Sequence, residues 1–259
     1  MRFDVFTLFP DVFFPYLDAS IIKKARDRNH VEVAVHDIRD FTTDKHHVTD
    51  EPPYGGGGGM VLKPEPIFRA VESVLGSPPA HPVLLLSPQG ELLTQDLARD
   101  LANQPRLGLI AGHYEGVDER VRDHLVDQEI SIGDYVLTGG ELPALVLIDC
   151  LTRLLPGVLG DPDAAEKDSH AAGLLEHPHY TRPEKFREWT VPEILRSGHH
   201  ARIETWRRQQ ALLRTWQRRP EMLSSLDLSG EDREFLASLE ENKQHQGQHR
   251  DPETGSNFP

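Results

Sequence analysis

Three short strings combine glycine with polar and aromatic side chains in the manner of ligand-binding loops. They are residues 87–90 (Ser-Pro-Gln-Gly), 111–116 (Ala-Gly-His-Tyr-Glu-Gly) and 132–141 (Ile-Gly-Asp-Tyr-Val-Leu-Thr-Gly-Gly-Glu). Each follows a compact apolar run. Glycine lets main-chain atoms approach a ligand closely, so three such loops at successive strand ends could enclose a purine-containing molecule with amides and carbonyls. A fourth string, 54–60, holds five consecutive glycines from Gly55 to Gly59. That run loses much backbone entropy on folding, so something must approach it closely or the loop must move; a flexible surface loop is the plainer reading. It is not a Walker phosphate loop, because no Gly-Lys-Ser/Thr ending follows and Lys63 comes too late. Nor is it a dinucleotide fingerprint, which needs a strand before it and a helix behind.

Carboxylates are abundant, with 42 Asp and Glu, so no single one stands out by type. Glu115, Asp118 and Glu119 follow the second loop. The last two also suit the first turn of a helix, where the dipole favours acids. Asp168 stands just before Ser169 and His170. The nucleophile string GxSxG and the zinc string HExxH are both absent. The pairs His46-His47 and His199-His200 lack further ligands at credible spacing, so no metal residue is assigned. Cys150 is the only cysteine. It excludes a disulfide framework and a cysteine-rich zinc site, and it fits a reducing cytoplasm.

The elements that must hold these residues follow from periodicity. A chain of 259 residues suits one or two domains. Short apolar strands are expected at 3–8, 31–35, 83–86, 107–110 and 129–132. Helices are expected at 21–28, 64–75, after Thr94 as a cap, and at 142–155. Compact strands alternating with helices give an α/β domain with a mainly parallel sheet, whose ligands sit in the loops after the strands. Composition changes near 160, giving a domain at 1–160 and an acidic linker or lid at 161–170. A helical domain follows at 171–241, then a polar tail at 242–259 expected to be disordered. The helical domain shows no convincing strand. Its clearest helix is 199–219, with Ile203, Trp206, Leu213 and Trp216 as the apolar stripe. A last helix at 231–239 could be capped by Ser229 or Asp227.

The formal net charge is −14, which argues against a nonspecific nucleic-acid coat. Yet residues 182–219 carry 10 Lys and Arg against 4 Asp and Glu, one basic segment in an acidic chain. That pattern fits a polyanion touching a defined patch. No stretch reaches the ~20 apolar residues needed to cross a bilayer, and no secretory signal is evident.

Several longer strings resemble the bacterial tRNA (guanine-N1)-methyltransferases of the SPOUT family. They are FTLFP at 6–10, YGGGGGM at 54–60, LSPQG at 86–90 and AGHYEGVDERV at 111–121. They continue with EISIGDYVLTGGELPA at 129–144, GLLEHPHYTRP at 173–183 and REWTVPEILRSGHHARIETWRR at 187–208. The resemblance spans Met1 to about Leu239. It implies an α/β domain with a deep trefoil knot, plus a small all-helical C-terminal domain. It implies a cytoplasmic homodimer with active sites at the subunit interface. The expected reaction is methyl transfer from S-adenosylmethionine to N1 of tRNA guanosine 37 when guanosine occupies 36, with Mg2+ required.

The resemblance also assigns residues. Asp168 would be the general base that takes the N1 proton, Arg153 would stabilise negative charge growing on O6, and Glu115 would help hold the guanosine. The methyl donor would be bound by Leu86, Pro88, Gly112, Tyr114, Ile132, Gly133, Tyr135, Leu137, Gly139 and Gly140. Arg182, Lys185, Arg196, Arg202, Arg207 and Arg208 would contact tRNA phosphates. Three departures from the family pattern stand out. Gly58 replaces a usual proline, His170 a common phenylalanine, and Lys45-His46-His47 a more usual basic and polar stretch. Two alternatives stay open: another SPOUT RNA methyltransferase acting on ribose or another base, and a nonenzymatic RNA-binding protein on the same scaffold.

Overall fold

The computed structural model describes residues 1–161 and 164–248, without the side chains of 243–248. The chain divides into two compact units, Met1–Ala165 and Glu166–Pro259. The first unit runs β1 (Arg2–Thr7), α1 (Phe14–Leu17), α2 (Ser20–Asp27), β2 (Glu32–Asp37), β3 (Asp50–Glu51) and β4 (Val61–Leu62). It continues with α3 (Pro64–Leu75), β5 (Val83–Leu92), α4 (Gln95–Ala102), β6 (Arg106–Ala111), α5 (Glu119–His124), β7 (Gln128–Ser131) and α6 (Glu141–Thr152).

Five strands form one sheet in the order β2-β1-β6-β5-β7, and every neighbouring pair is parallel. Apolar residues alternate between two covered faces. Phe3, Val5, Leu84 and Leu109 pack with Ala144, Leu147, Ile148 and Leu151 of α6. Phe6, Leu85 and Ile110 pack with Ile67 and Val71 of α3. Burial on both faces explains why these strands read as continuous apolar runs. Asp4 is a fully buried carboxylate on β1. Arg2, His36 and Arg106 reach it at 2.9, 3.0 and 2.7 Å.

Residues 87–90 are not a terminating turn: β5 runs on to Leu92, with a register shift between Leu86 and Glu91, both opposite Ile130 of β7. The Ser-Pro-Gln-Gly string is an excursion inside a strand. Gly90 permits it, since a Cβ there would lie 2.4 Å from the Glu129 main chain. The five-glycine string lies between β3 and β4, an antiparallel pair too short to show periodicity in sequence.

The second unit follows a four-residue helical turn, α7 (Ala164–Lys167), which spans the boundary between the units. It contains β8 (Lys185–Phe186), β9 (Trp189–Thr190), α8 (His200–Arg218) and α9 (Gly230–Gln248). The unit is therefore not all-helical. β8 and β9 pair antiparallel across the two-residue turn Arg187-Glu188, with Arg187 at φ +56°. Its guanidinium lies 5.3 and 5.8 Å from the Phe186 and Trp189 ring centroids. Along α8 the buried face is Ile203, Ala211, Leu212 and Thr215, not the expected Trp206, Leu213 and Trp216. Leu212 clusters with Leu174, Phe235 and Leu236, which sequence periodicity cannot foresee. Ser229 caps α9 reciprocally: Asp232 N–H donates to Ser229 Oγ at 3.1 Å, and Ser229 N–H to Asp232 Oδ2 at 3.1 Å. The helix continues to Gln248, past residue 242 where a tail is expected; 249–259 lie outside the described residues. Among the described residues, no helix is long and apolar enough to cross a membrane.

Candidate active site

The 87–90 excursion of β5 and the segments beyond the carboxyl ends of β6 and β7 border a cleft of about 220 Å³. All ten residues named for the methyl donor line it, from Leu86 and Pro88 through Gly112 and Tyr114 to Ile132, Gly133, Tyr135, Leu137, Gly139 and Gly140. Glu115 lines it too. Open parallel sheets place ligands at this end, beyond the strand termini.

The cleft depends on two loops lying main chain against main chain. Gly140 N–H donates to the Gly112 carbonyl at 2.7 Å, and Gly139 bridges His113 in antiparallel sense. A Cβ on Gly140 would sit 2.7 Å from Ala111 Cα and 2.9 Å from Gly112 N. Only glycine fits so close a crossing. The Tyr135 hydroxyl donates to the Ile132 carbonyl at 3.1 Å, folding that ring onto its own loop.

The five-glycine string also reaches this cleft's lining. Glu115 N–H donates to the Met60 carbonyl at 3.0 Å, and Leu62 N–H to the Gly116 carbonyl at 2.9 Å. Gly59, at φ +83°, lies directly against the Glu115 side chain. Close approach, one of the two readings of this string, therefore applies at Gly59. Gly55 to Gly58 have open space around them.

Three residues of the cleft region, the pair Glu141 and His113 and then Arg122, carry chemistry not named from sequence. Glu141 is buried; its Oε1 accepts the Thr7 hydroxyl at 2.8 Å, while Oε2 is 3.7 Å from His113 Nδ1. That nitrogen is buried with no hydrogen-bond partner. The His113 ring lies tilted against Phe9 and edge-on to Tyr114, with centroids 4.7 and 4.9 Å away. Both residues stand inside the quoted strings, but 28 positions separate them in sequence and no short motif joins them. Arg122 is a second omission. It lines the cleft and is tied to Glu129 and to the Ser87 hydroxyl. Asp118 has a structural role: it caps α5, and its hydrogen bond from the Arg120 guanidinium holds it below the ordinary carboxylate range.

The remaining assigned residues lie elsewhere. Arg153 is the C-cap of α6, and twelve residues of helix place it about 18 Å along the axis from Glu141. Asp168 belongs to the second unit, in a loop closed by His170 N–H on the Leu174 carbonyl (2.9 Å) and Glu176 N–H on Ser169 Oγ (3.0 Å). His170 itself holds a left-handed φ of +70°.

Of the six phosphate candidates, Arg182 and Arg202 are exposed. Lys185 pairs with Glu188 at 3.4 Å, Arg196 with Glu184 at 2.7 Å and Arg207 with Glu204 at 2.7 Å. Arg208 differs in kind. It grips the buried Asp232 through two hydrogen bonds of 2.9 and 3.1 Å, and this pairing lowers the Asp232 pKa.

Residues 1–225 match the family described as tRNA (Guanine-1)-methyltransferase TrmD. The chain belongs to that family. It is similar to a tRNA (guanine-N(1)-)-methyltransferase of Dehalococcoides mccartyi, 58% identical over 240 residues, covering 92% of this chain and 97% of the relative. A tRNA (guanine-N(1)-)-methyltransferase of Moorella thermoacetica is 57% identical over 241 residues, covering 92% and 96%. One from Brevibacillus brevis is 55% identical over 243 residues, covering 94% and 100%. Family membership makes the chain an S-adenosylmethionine-dependent enzyme that methylates tRNA guanine at N1, on an α/β domain of SPOUT type. Glycines let the loops that line the cleft pack this closely: a Cβ on Gly139 or Gly140 would run into His113 or the Ala111 main chain.

Proposed function

We propose that this tRNA methyltransferase modifies guanosine 37 when guanosine also occupies position 36, as a cytoplasmic homodimer with composite active sites. The observation that carries this reading is the gathering of ten expected donor-binding residues and Glu115 on one cleft in a chain of this family. Leu86, Pro88, Gly112 and Tyr114 would hold the ribose and methionine side. The loop from Ile132 to Gly140 would hold the adenine. When bound, S-adenosylmethionine supplies an electrophilic methyl group.

The chain's own residues would do the rest. Guanine N1 carries a proton at neutral pH and is a weak nucleophile until that proton leaves. Asp168 would accept it, within hydrogen-bond reach, in the general-base role. Arg153 would stabilise the negative charge that then develops on O6. Glu115 would hold the guanine edge. Arg182, Lys185, Arg196, Arg202 and Arg207 would neutralise phosphates and set register. The segment 161–170, of which 162–163 lie outside the described residues, would act as a lid that closes with tRNA.

The dimer reading is supported by α6. Leu142 and Val146 are 56% and 45% exposed on a helix whose other apolar side chains are buried or half-buried in the core. Val12, Phe14 and Tyr16 are exposed as well, and Tyr16 reaches α6 through a 2.5 Å hydrogen bond to Asp149. An apolar face of this kind suits an isologous contact. A second copy would let the far end of α6, with Arg153, serve the partner's cleft. The main-chain crossing of 139–140 over 111–113 supports a trefoil knot in this region. Cys150, the single cysteine, fits the cytoplasm.

A magnesium requirement belongs to the same proposal, but the residues do not form a protein cage for it. Among the described residues, three or more acidic and histidine side chains gather with ligand atoms close together only at Glu176, His177 and His179, which is not a set of hard oxygen ligands. No step is assigned to the ion.

The test is methyl transfer from labelled donor to unmodified tRNA bearing guanosines at 36 and 37. The expected product is 1-methylguanosine at 37, lost when that guanosine is replaced. A ribose-methylated product, or label at another base, would overturn the site assignment while leaving donor use intact. Donor binding with no RNA product would favour a binding protein.

A further inference from the structure

The string Glu-His-Pro-His at 176–179 sets two imidazoles either side of one proline. One ligand atom from each of Glu176, His177 and His179 lies within 4.8 Å of the others. His179 Nε2 is 2.8 Å from Glu176 Oε1, and the two imidazole centroids are 4.6 Å apart. His177 Nδ1 is 3.2 Å from the Pro178 carbonyl. A carbonyl only accepts, so Nδ1 carries the proton and Nε2 keeps the lone pair. Metal-binding imidazoles are commonly fixed in their tautomer by such a second hydrogen bond.

The main chain beneath this cluster is held from two sides. Glu176 N–H donates to Ser169 Oγ at 3.0 Å, and its carbonyl accepts from Arg214 Nη1 of α8 at 3.1 Å. Leu175 N–H donates to Thr215 Oγ1 at 2.9 Å. The ligand side chains remain reachable from solvent, with His179 64% and Glu176 31% exposed.

We propose that Glu176, His177 and His179 bind a borderline divalent transition ion of the zinc class. Two imidazole nitrogens and one carboxylate oxygen are a zinc donor set, and three protein ligands leave a fourth position for water. Magnesium and calcium prefer several oxygens, and here there is one carboxylate. Ligands ~2.0–2.1 Å from a tetrahedral ion lie roughly 3.3 Å apart. Glu176 and His179 must open slightly to reach that spacing, a side-chain rotation at an exposed site. The ion would replace the shared hydrogen bond between them. It would tie 176–179 to the loop that carries Asp168, because Ser169 is already bonded to the Glu176 amide.

The experiment titrates Co2+, then Zn2+, into the untagged full-length chain without tRNA. One equivalent of cobalt should bind with a visible d–d band. Zinc should bleach that band, and excess Mg2+ should leave it unchanged. His177→Gln and His179→Gln should each weaken binding by about tenfold or more, and the double variant should abolish it. Zinc should raise the Tm of the wild type and not of the double variant. If the histidine variants melt early without metal, Glu176→Gln serves instead, since it keeps size and shape and removes the anionic ligand. Absence of a one-equivalent complex, equal binding by the double variant, or displacement by Mg2+ would each overturn the proposal.

Discussion

Gly59 faces Glu115 so closely that a Cβ on the glycine would lie 2.3 Å from the carboxylate Oε1. The left-handed φ of +83° adds strain for any other residue. Gly59→Ala must therefore push the Glu115 side chain out of place. We expect kcat/KM for tRNA to fall about tenfold or more while donor affinity stays near wild type. Steady-state kinetics beside calorimetric donor titration checks this, and equal losses in both would sink it.

Gly140→Ala should do the opposite. Its Cβ meets the main chain at Ala111 Cα, 2.7 Å away, and backbone has little room to give. Donor binding should be lost, with destabilisation of about 1–3 kcal/mol in urea melts. Gly112→Ala is the control for sterics: its nearest neighbour would be Val117 Cγ1 at 3.6 Å, an ordinary contact. It should fold normally, so any loss of donor affinity reports the ligand itself.

Asp168→Ala should lower single-turnover methylation by ~10²–10⁴ with donor binding intact. Mixing this variant with Gly140→Ala tests the composite site. If the base and the cleft come from different copies, random exchange restores roughly a quarter of wild-type activity, from the one competent site in each mixed dimer. No recovery would place both on one copy.

How far the fold could be read depended on periodicity. α3 was legible to the residue, since Pro64 starts it and its apolar spacing is regular. The five-stranded sheet was legible as short apolar runs, but not its strand order, which depends on contacts far apart in sequence. β8 and β9 escaped because two-residue strands carry no alternation. Leu212 was passed over for Leu213 because partners outside α8, Leu174 and Leu236 among them, choose its buried face. That these three loops line one cleft was legible from glycine and its neighbours, while the individual donor-binding roles come from the family resemblance and stand as proposals. The buried contact of Thr7 with Glu141, from opposite ends of the first unit, had no local signal.

Asp4 gives the acid limb of stability. Burial alone would raise its pKa, but hydrogen bonds from His36, Arg2 and Arg106 outweigh this and hold it well below the ordinary carboxylate range. A depressed folded pKa stabilises the protein above the unfolded value of about 3.9. The contribution drains away as pH falls between about pH 5 and pH 1. Asp4→Asn should flatten that part of a Tm-against-pH curve. It should also destabilise the fold by about 1–3 kcal/mol at neutral pH, since Arg106 loses its carboxylate while Arg2 keeps Glu32. An unchanged acid slope would assign the effect to other carboxylates.

Arg202 and Arg208 should separate by mechanism. Arg202 is exposed, so Arg202→Ala should weaken tRNA binding and reduce its salt dependence without changing Tm. Arg208→Ala strands the buried Asp232, so it should lower Tm first. Filter binding at several salt concentrations, beside thermal melts, distinguishes the two patterns.

The crossing of Gly140 over Ala111 and Gly112 bears on drug resistance. If the proposed donor site is right, a competing compound that reads this wall would meet main chain at 111–113 and 139–140, which point mutations leave in place. Replacing Gly140 drives a side chain into the opposing backbone. Escape must then come from reshaping the loop itself, and on the proposed donor site an enzyme that did so would give up its own hold on the methyl donor.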